Sequence, residues 1–235
     1  MHSLNVNNLT FSHSKDPLFI NASMNINPGN IVGLLGPNGS GKTTFFDIIC
    51  GIQDRKNAEI INTFKNQVYL SQTITTPHTL RMFDIFNITT LLCSPEKNLQ
   101  RQSLAKLYAW SPEIVDRYKR IWNKRSSTCS YGEKRWFFTL ALLTLSSDFI
   151  ILDEPTAGVD PEFRHYIWKC LHGAAKEGVA VLVSSHNTEE IVYNCDRFYM
   201  ISNHSFKQFI HSEEFIEHYG AKNLDDAFIR ASGNY

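Results

Sequence analysis

No stretch of this sequence stays apolar for the about 18–20 residues needed to cross a bilayer; the most apolar run, Phe137 to Leu145, falls well short. Neither sign of charge is in excess, because 23 Lys and Arg balance 23 Asp and Glu. That balance removes the electrostatic footprint of a nucleic-acid binder, so no nucleic-acid partner is expected. The five cysteines (Cys50, Cys93, Cys129, Cys170 and Cys195) form no C-x-x-C pair and no Cys/His cluster at zinc spacing. An odd, scattered set reads as small packing residues in a reducing compartment. Met1 to Thr10 is polar and rich in Asn, unlike a signal peptide. Repeats, low-complexity tracts and obvious linkers are missing too. What remains is an ordinary globular composition, with 235 residues and 43% apolar content. A chain of this length buries about 70–75% of its unfolded surface and needs no disulfide or metal to fold. A single domain over residues 1–235 is expected.

Hydropathy patterning gives the organisation. Leu4, Val6, Leu9 and Phe11 alternate with polar residues as in a half-buried strand, and Phe19 to Ile26 repeats the pattern before the Pro28-Gly29 turn. Asn30 to Leu35 reads as a central strand, Lys42 to Cys50 as a helix closed by Gly51, and Val68 to Leu70 as a short strand. From Thr76 to about Lys124 glycine is scarce. Leu80, Phe83, Phe86, Leu104, Leu107, Ile114 and Tyr118 recur at helix-like spacing, and Ser111-Pro112-Glu113 looks like a helix start. This region, about residues 76–130, reads as an inserted helical subdomain. Beyond it, helices over Tyr131–Leu145, Pro161–Glu177 and Thr188–Tyr193 alternate with strands over Phe149–Leu152, Val179–Val183 and Phe198–Ile201. Strands separated by helices make a mainly parallel sheet, so the fold class is α/β.

Gly36, Pro37, Asn38, Gly39, Ser40, Gly41, Lys42 and Thr43, with Thr44 following, fit the P-loop (Walker A) pattern G-x-x-x-x-G-K-[ST], between a strand and a helix as that motif requires. Its glycines let successive backbone N–H groups turn inward on an anion, and the helix N-terminus adds positive potential. Lys42 supplies an ammonium for the β- and γ-phosphates, and the Thr43 hydroxyl suits Mg²⁺, which prefers hard oxygen ligands. Phe149-Ile150-Ile151-Leu152-Asp153-Glu154 ends a buried strand on two acids, the Walker B arrangement. Asp153 is placed to reach the metal, and Glu154 to accept a proton from an attacking water.

Further residues narrow the class. Gln72 follows a strand, Cys129-Ser130-Tyr131-Gly132-Glu133 lies upstream of Asp153, Ala157-Gly158-Val159-Asp160 comes after Glu154, and His186 ends the next strand. In this order the set resembles the ATP-binding cassette of ABC transporters, over nearly the whole chain. The resemblance implies a P-loop NTPase core with an N-terminal antiparallel β subdomain and an inserted helical subdomain. It implies ATP and Mg²⁺, hydrolysed by in-line attack of water. It also implies a head-to-tail pair of cassettes, identical or different, with each site completed by the other copy. Carried over by position, Phe11 matches the aromatic that stacks on adenine, the alternative being an aromatic of the strand core, and Gln72 matches the glutamine that reaches Mg²⁺. Ser130, Gly132 and Glu133 match the signature that contacts nucleotide on the opposite copy, Asp160 the aspartate acting across the interface, and His186 the histidine near the γ-phosphate. The signature departs from L-S-G-G-Q. Cys129 replaces Leu, Tyr131 the first Gly and Glu133 the Gln, while Ser130 and Gly132 remain.

Within the resemblance, the expected role is the ATPase subunit of a transporter, with export as the expected direction and a separate transmembrane chain as the permease. It would sit in the cytoplasm, on the inner face of the cell membrane. Met82, Phe83, Ile85, Phe86, Leu91 and Leu92 either form its docking surface or pack inside the helical subdomain. A cassette acting on ribosomes or DNA, or a regulatory module that binds ATP without turnover, is the competing reading. The first would carry basic tails or a long insertion, and none is visible. His211, Glu214 and His218 read as a solvated helix face rather than a metal site, and Ser232 to Tyr235 as a frayed end.

Overall fold

The computed structural model describes residues 2–13, 16–54, 58–93 and 99–233. Asn234 and Tyr235 of the expected frayed end, and the side chain of Cys93, lie outside what is described. Two sheets form. In the first, β1 (Leu4–Ser12) lies between β2 (Pro17–Ile26) and β4 (Glu59–Asn62), all antiparallel. In the second, the order is β5 (Gln67–Leu70), β6 (Phe149–Asp153), β7 (Ala180–Ser184), β3 (Ile31–Leu35), β8 (Arg197–Ser202) and β9 (Ser205–Phe209). Its pairs are parallel except β8 with β9.

The central strands are apolar throughout because both of their faces are covered. Along β7, Ala180 and Leu182 enter one core while Val181 and Val183 enter the other; along β6, Phe149 and Ile151 oppose Ile150 and Leu152 in the same way. One core is closed by α1 (Lys42–Ile49) and the antiparallel sheet. The other is closed by α5 (Tyr131–Leu143), α6 (Pro161–Lys176), α7 (Thr188–Asn194), α8 (Ser212–His218) and α9 (Leu224–Ser232). The expected helical region contains α2 (Met82–Cys93), α3 (Leu99–Trp110) and α4 (Val115–Trp122), with a 3-10 turn at Pro112–Ile114 that Ser111 and Pro112 open. Residues 71–81 are irregular, so Leu80 lies outside any helix.

Hydropathy alone does not reveal β4 or β9. β4 is short and three of its four residues are exposed. β9 returns from β8 through Asn203 and His204, both at positive φ (49° and 60°), a tight hairpin turn usually made by Asn-Gly. Cys50, Cys129, Cys170 and Cys195 are free thiols, and burial pushes Cys50 and Cys170 up to about 12, which keeps them protonated and inert. Among the described residues no group of three metal-ligating side chains is formed, and no helix is long and apolar enough to cross a membrane. The ring of His218 packs against Phe209 and Tyr219.

Candidate active site

The loop between β3 and α1 carries the phosphate-binding pattern. Gly39 and Gly41 take φ of 83° and 98°, which a side chain would strain, and Ser40 is buried beneath the turn. Lys42 folds back over the loop and donates from Nζ to Gly36 O (2.7 Å) and Pro37 O (3.2 Å). Burial lowers its ammonium from the ordinary value, against the opposing pull of the Glu154 and Asp153 carboxylates.

Strand ends supply the rest. β5, β6 and β7 stop side by side, so the residues that follow them converge. Thr43 Oγ1 donates to Asp153 Oδ2 at 2.6 Å, and Ser184 Oγ donates to Asp153 Oδ1 at 2.6 Å. The same Ser184 oxygen accepts from Glu154 N at 3.0 Å, which pins Glu154 in the left-handed region at φ 54°. A non-glycine held there is backbone strain of the kind that gathers at functional sites. Glu154 Oε2 then meets His186 Nδ1 at 2.8 Å and accepts from His186 N at 3.3 Å. The carboxyl is buried and the imidazole exposed.

A cleft of about 270 Å³ opens over this group. Asn38, Gly39, Gly41, Lys42, Thr43, Thr44, Gln72, Asp153 and Glu154 line it, together with Leu18 and His13. Phe11 does not, which corrects the expectation that it stacks on a base. It is 2% exposed and packed in the core between the antiparallel sheet and α1. A bulge explains the difference. Asn8 takes φ 51° and the β1–β2 register shifts after Val6, so inward positions run Leu4, Val6, Leu9, Phe11. His13, two residues further on, reaches the cleft, where Nε2 lies 3.3 Å from Thr44 Oγ1 and the ring meets Phe11 edge-on. Its signal was the same alternation continued past the strand end.

The signature residues lie elsewhere on the surface. Ser130 caps α5. Its Oγ accepts from Glu133 N (3.1 Å) while Glu133 Oε2 accepts from Ser130 N (2.9 Å). Glu133 also pairs with Lys124 at 2.7 Å. Burial would raise its carboxyl, but the Lys124 ammonium and the Ser130 N–H outweigh that and hold it below the usual range. Gly132 is needed because a Cβ there would come within 2.5 Å of Gly158 O. Asp160 caps α6 by accepting from Phe163 N at 2.9 Å. Ser130, Tyr131, Gly158 and Asp160 are all exposed and none lines the cleft.

One residue of the site was not legible beforehand. Arg135 on α5 is completely buried and donates to three backbone carbonyls: Ser71 O (2.7 Å), Gln72 O (2.6 Å) and Asp153 O (3.1 Å). Tyr131 Oη donates to the same Gln72 carbonyl at 3.0 Å. Thus the first turns of the helix behind the signature hold the backbone of two loops of the cleft.

Residues 19–157 match the family described as "ABC transporter". The chain belongs to the ABC transporter family. Relatives of this ABC ATPase include protein McbF of Escherichia coli, 33% identical over 91% of this chain and 88% of that one. The lipopolysaccharide export system ATP-binding protein LptB of Escherichia coli K12 is 29% identical over 86% of this chain and 88% of its own. The Nod factor export ATP-binding protein I of Rhizobium meliloti is 30% identical over 83% of this chain and 60% of its own. Among solved structures, the ATP-binding subunit of an ABC transporter superposes with a TM-score of 0.81 at 18% identity, over 97% of this chain and 98% of that one. A dimeric bacterial ABC transporter cassette gives 0.73, also at 18%, over 88% and 98%. These establish the α/β cassette fold. The family binds and hydrolyses ATP, so this ABC chain is an ATPase and an ATP-binding subunit of the transporter type.

Proposed function

We propose that this ABC cassette hydrolyses Mg²⁺-ATP as one of a pair and drives export through a separate membrane chain. The observation that carries the reading is the convergence of Lys42, Thr43, Asp153 and Glu154 on one cleft, with Ser130 exposed away from it. The signature then has a nucleotide to contact only on a second cassette, whose P-loop would face it. Thr43 Oγ1 and Asp153 Oδ2, two hard oxygens 2.6 Å apart, fit a magnesium ion, with Gln72 on the same cleft. When bound, the ion supplies positive charge at the terminal phosphate oxygens. Lys42 and the loop N–H groups bind the phosphates, Glu154 accepts the proton of the attacking water, and His186 holds the Glu154 carboxyl in place. Asp160 would act across the pair.

Export is favoured by the relatives named for export systems. The membrane chain would dock on the outer face of α2, where Leu91 and Leu92 are 74% and 83% exposed. Met82 and Phe86 are buried and belong to internal packing instead. The cassette would therefore sit in the cytoplasm, at the inner face of the membrane. Affinity purification from detergent-solubilised membranes tests this. The expected result is one membrane chain, or a pair of them, recovered with two cassettes. Recovery with ribosomes or DNA and no membrane chain would overturn it.

The base subsite is assigned to His13. Base–aromatic stacking is worth ~1–3 kcal/mol. His13→Ala should therefore weaken ATP binding by about tenfold in a fluorescent-nucleotide titration. Phe11→Leu should lower thermal stability and leave that affinity near wild type. An unchanged dissociation constant in His13→Ala would remove His13 from the subsite.

A further inference from the structure

Glu154 and His186 come from different strands, and the 2.8 Å contact between them is only as firm as the two loops that carry them. Thr156 stands two residues beyond Glu154, and Ser185 one residue before His186. Both hydroxyls end on one carboxylate oxygen: Glu190 Oε2 accepts from Thr156 Oγ1 at 2.9 Å and from Ser185 Oγ at 3.2 Å. The other oxygen, Oε1, accepts from the indole Nε1 of Trp168 on α6 at 2.6 Å. All four residues are buried; Glu190 itself is 8% exposed. Among the described residues Glu190 makes no salt bridge, so a buried carboxylate is held by neutral donors alone. The other side of His186 is tied to the same place. Asn187 donates from N to Ser185 Oγ (3.1 Å), and its Oδ1 accepts from Glu190 N (3.0 Å).

We infer that Glu190 is a positioning residue for hydrolysis, a buried clamp that keeps the Glu154 loop and the His186 loop in register. The inference rests on the proposed roles of Glu154 and His186. A carboxylate suits the position because it only accepts, and three donors converge on it. A neutral amide of the same shape turns a donor toward one of those donors, and an unmatched buried polar group displaces its neighbours. A shift of an ångström or less at Glu154 is enough to slow the chemistry, while the P-loop, on a different strand, keeps its hold on the nucleotide.

The test is Glu190→Gln, assayed for ATP turnover well below its melting temperature and for ATP affinity. The expected result is a fall in kcat of about tenfold or more with KM within about twofold of wild type. Rescue distinguishes positioning from mere support. Trp168→Phe removes one donor, so the introduced amide in the double variant can turn its NH₂ toward the phenyl ring and accept from Thr156 and Ser185. Glu190→Gln/Trp168→Phe should therefore turn over faster than Glu190→Gln. A kcat for Glu190→Gln equal to wild type overturns the inference, and so does a double variant no faster than the single one. Glu154→Gln, measured beside them, separates the two failures. If it hydrolyses normally, the reading of Glu154 is at fault; if it is inactive, a null result at Glu190 condemns the clamp alone.

Discussion

Replacing Glu154 with Gln is expected to leave a cassette that binds ATP and scarcely turns it over. The amide keeps the shape of the carboxylate and can still accept from His186 N, as Glu154 Oε2 does at 3.3 Å. It cannot take a proton from water. A positioned base contributes about 10²–10⁴ in rate, so the loss in kcat should fall in that range. Nucleotide affinity should stay close to wild type, because Lys42, Thr43 and the loop N–H groups proposed to bind phosphate are untouched. With hydrolysis blocked, the proposed ATP-bound pair has no route to dissociation by turnover and should accumulate. Phosphate release at saturating ATP, together with size-exclusion chromatography in ATP, measures both effects. Hydrolysis at the wild-type rate would show that another group activates the water.

Arg135→Met is expected to have the largest effect on stability. The side chain is 0% exposed, and its guanidinium is the donor for Ser71 O, Gln72 O and Asp153 O. Burial lowers its pKa from the usual value, opposed by the nearby Tyr131, Asp153 and Glu154, so the charge is retained at a cost in desolvation. Methionine fills similar space but leaves the carbonyls unpaired, each worth ~1–3 kcal/mol when buried. Gln72 O is the exception, since Tyr131 still donates to it. A loss of ~3 kcal/mol is expected, or roughly 6–12 °C in melting temperature for a domain of this size. Arg135→Lys should recover only part of it, because one ammonium cannot span three carbonyls as a planar guanidinium does. A melting temperature within a degree of wild type would show that those carbonyls find other partners.

The regular elements were legible where burial is two-sided or strictly periodic. β3, β6 and β7 announce themselves as short apolar runs, and α1 and α6 as helices ended by Gly51 and Gly178, because those patterns follow directly from which faces are covered. β4 and β9 were not, since a short edge strand with few fully buried residues carries little hydropathy signal. The split of the α2 residues was also hidden. Met82 and Phe86 pack inward while Leu91 and Leu92 face out, and both pairs are equally apolar in the sequence.

Residue order by itself made legible the P-loop pattern, the acidic pair at the end of β6 and the family. Each is a run of consecutive residues whose chemistry and backbone conformation are set locally. Tertiary structure alone decided the rest. His13 lines the cleft while Phe11, two residues earlier, is buried in the core, because pairing with β2 ends at Ser12 and His13 lies just beyond the strand. Arg135 reaches Gln72 and Asp153, and Glu190 gathers Thr156, Ser185 and Trp168, only when strands distant in sequence end side by side. Contacts of that kind have no local signature, since the partners share no spacing or motif and are neighbours only in the folded sheet.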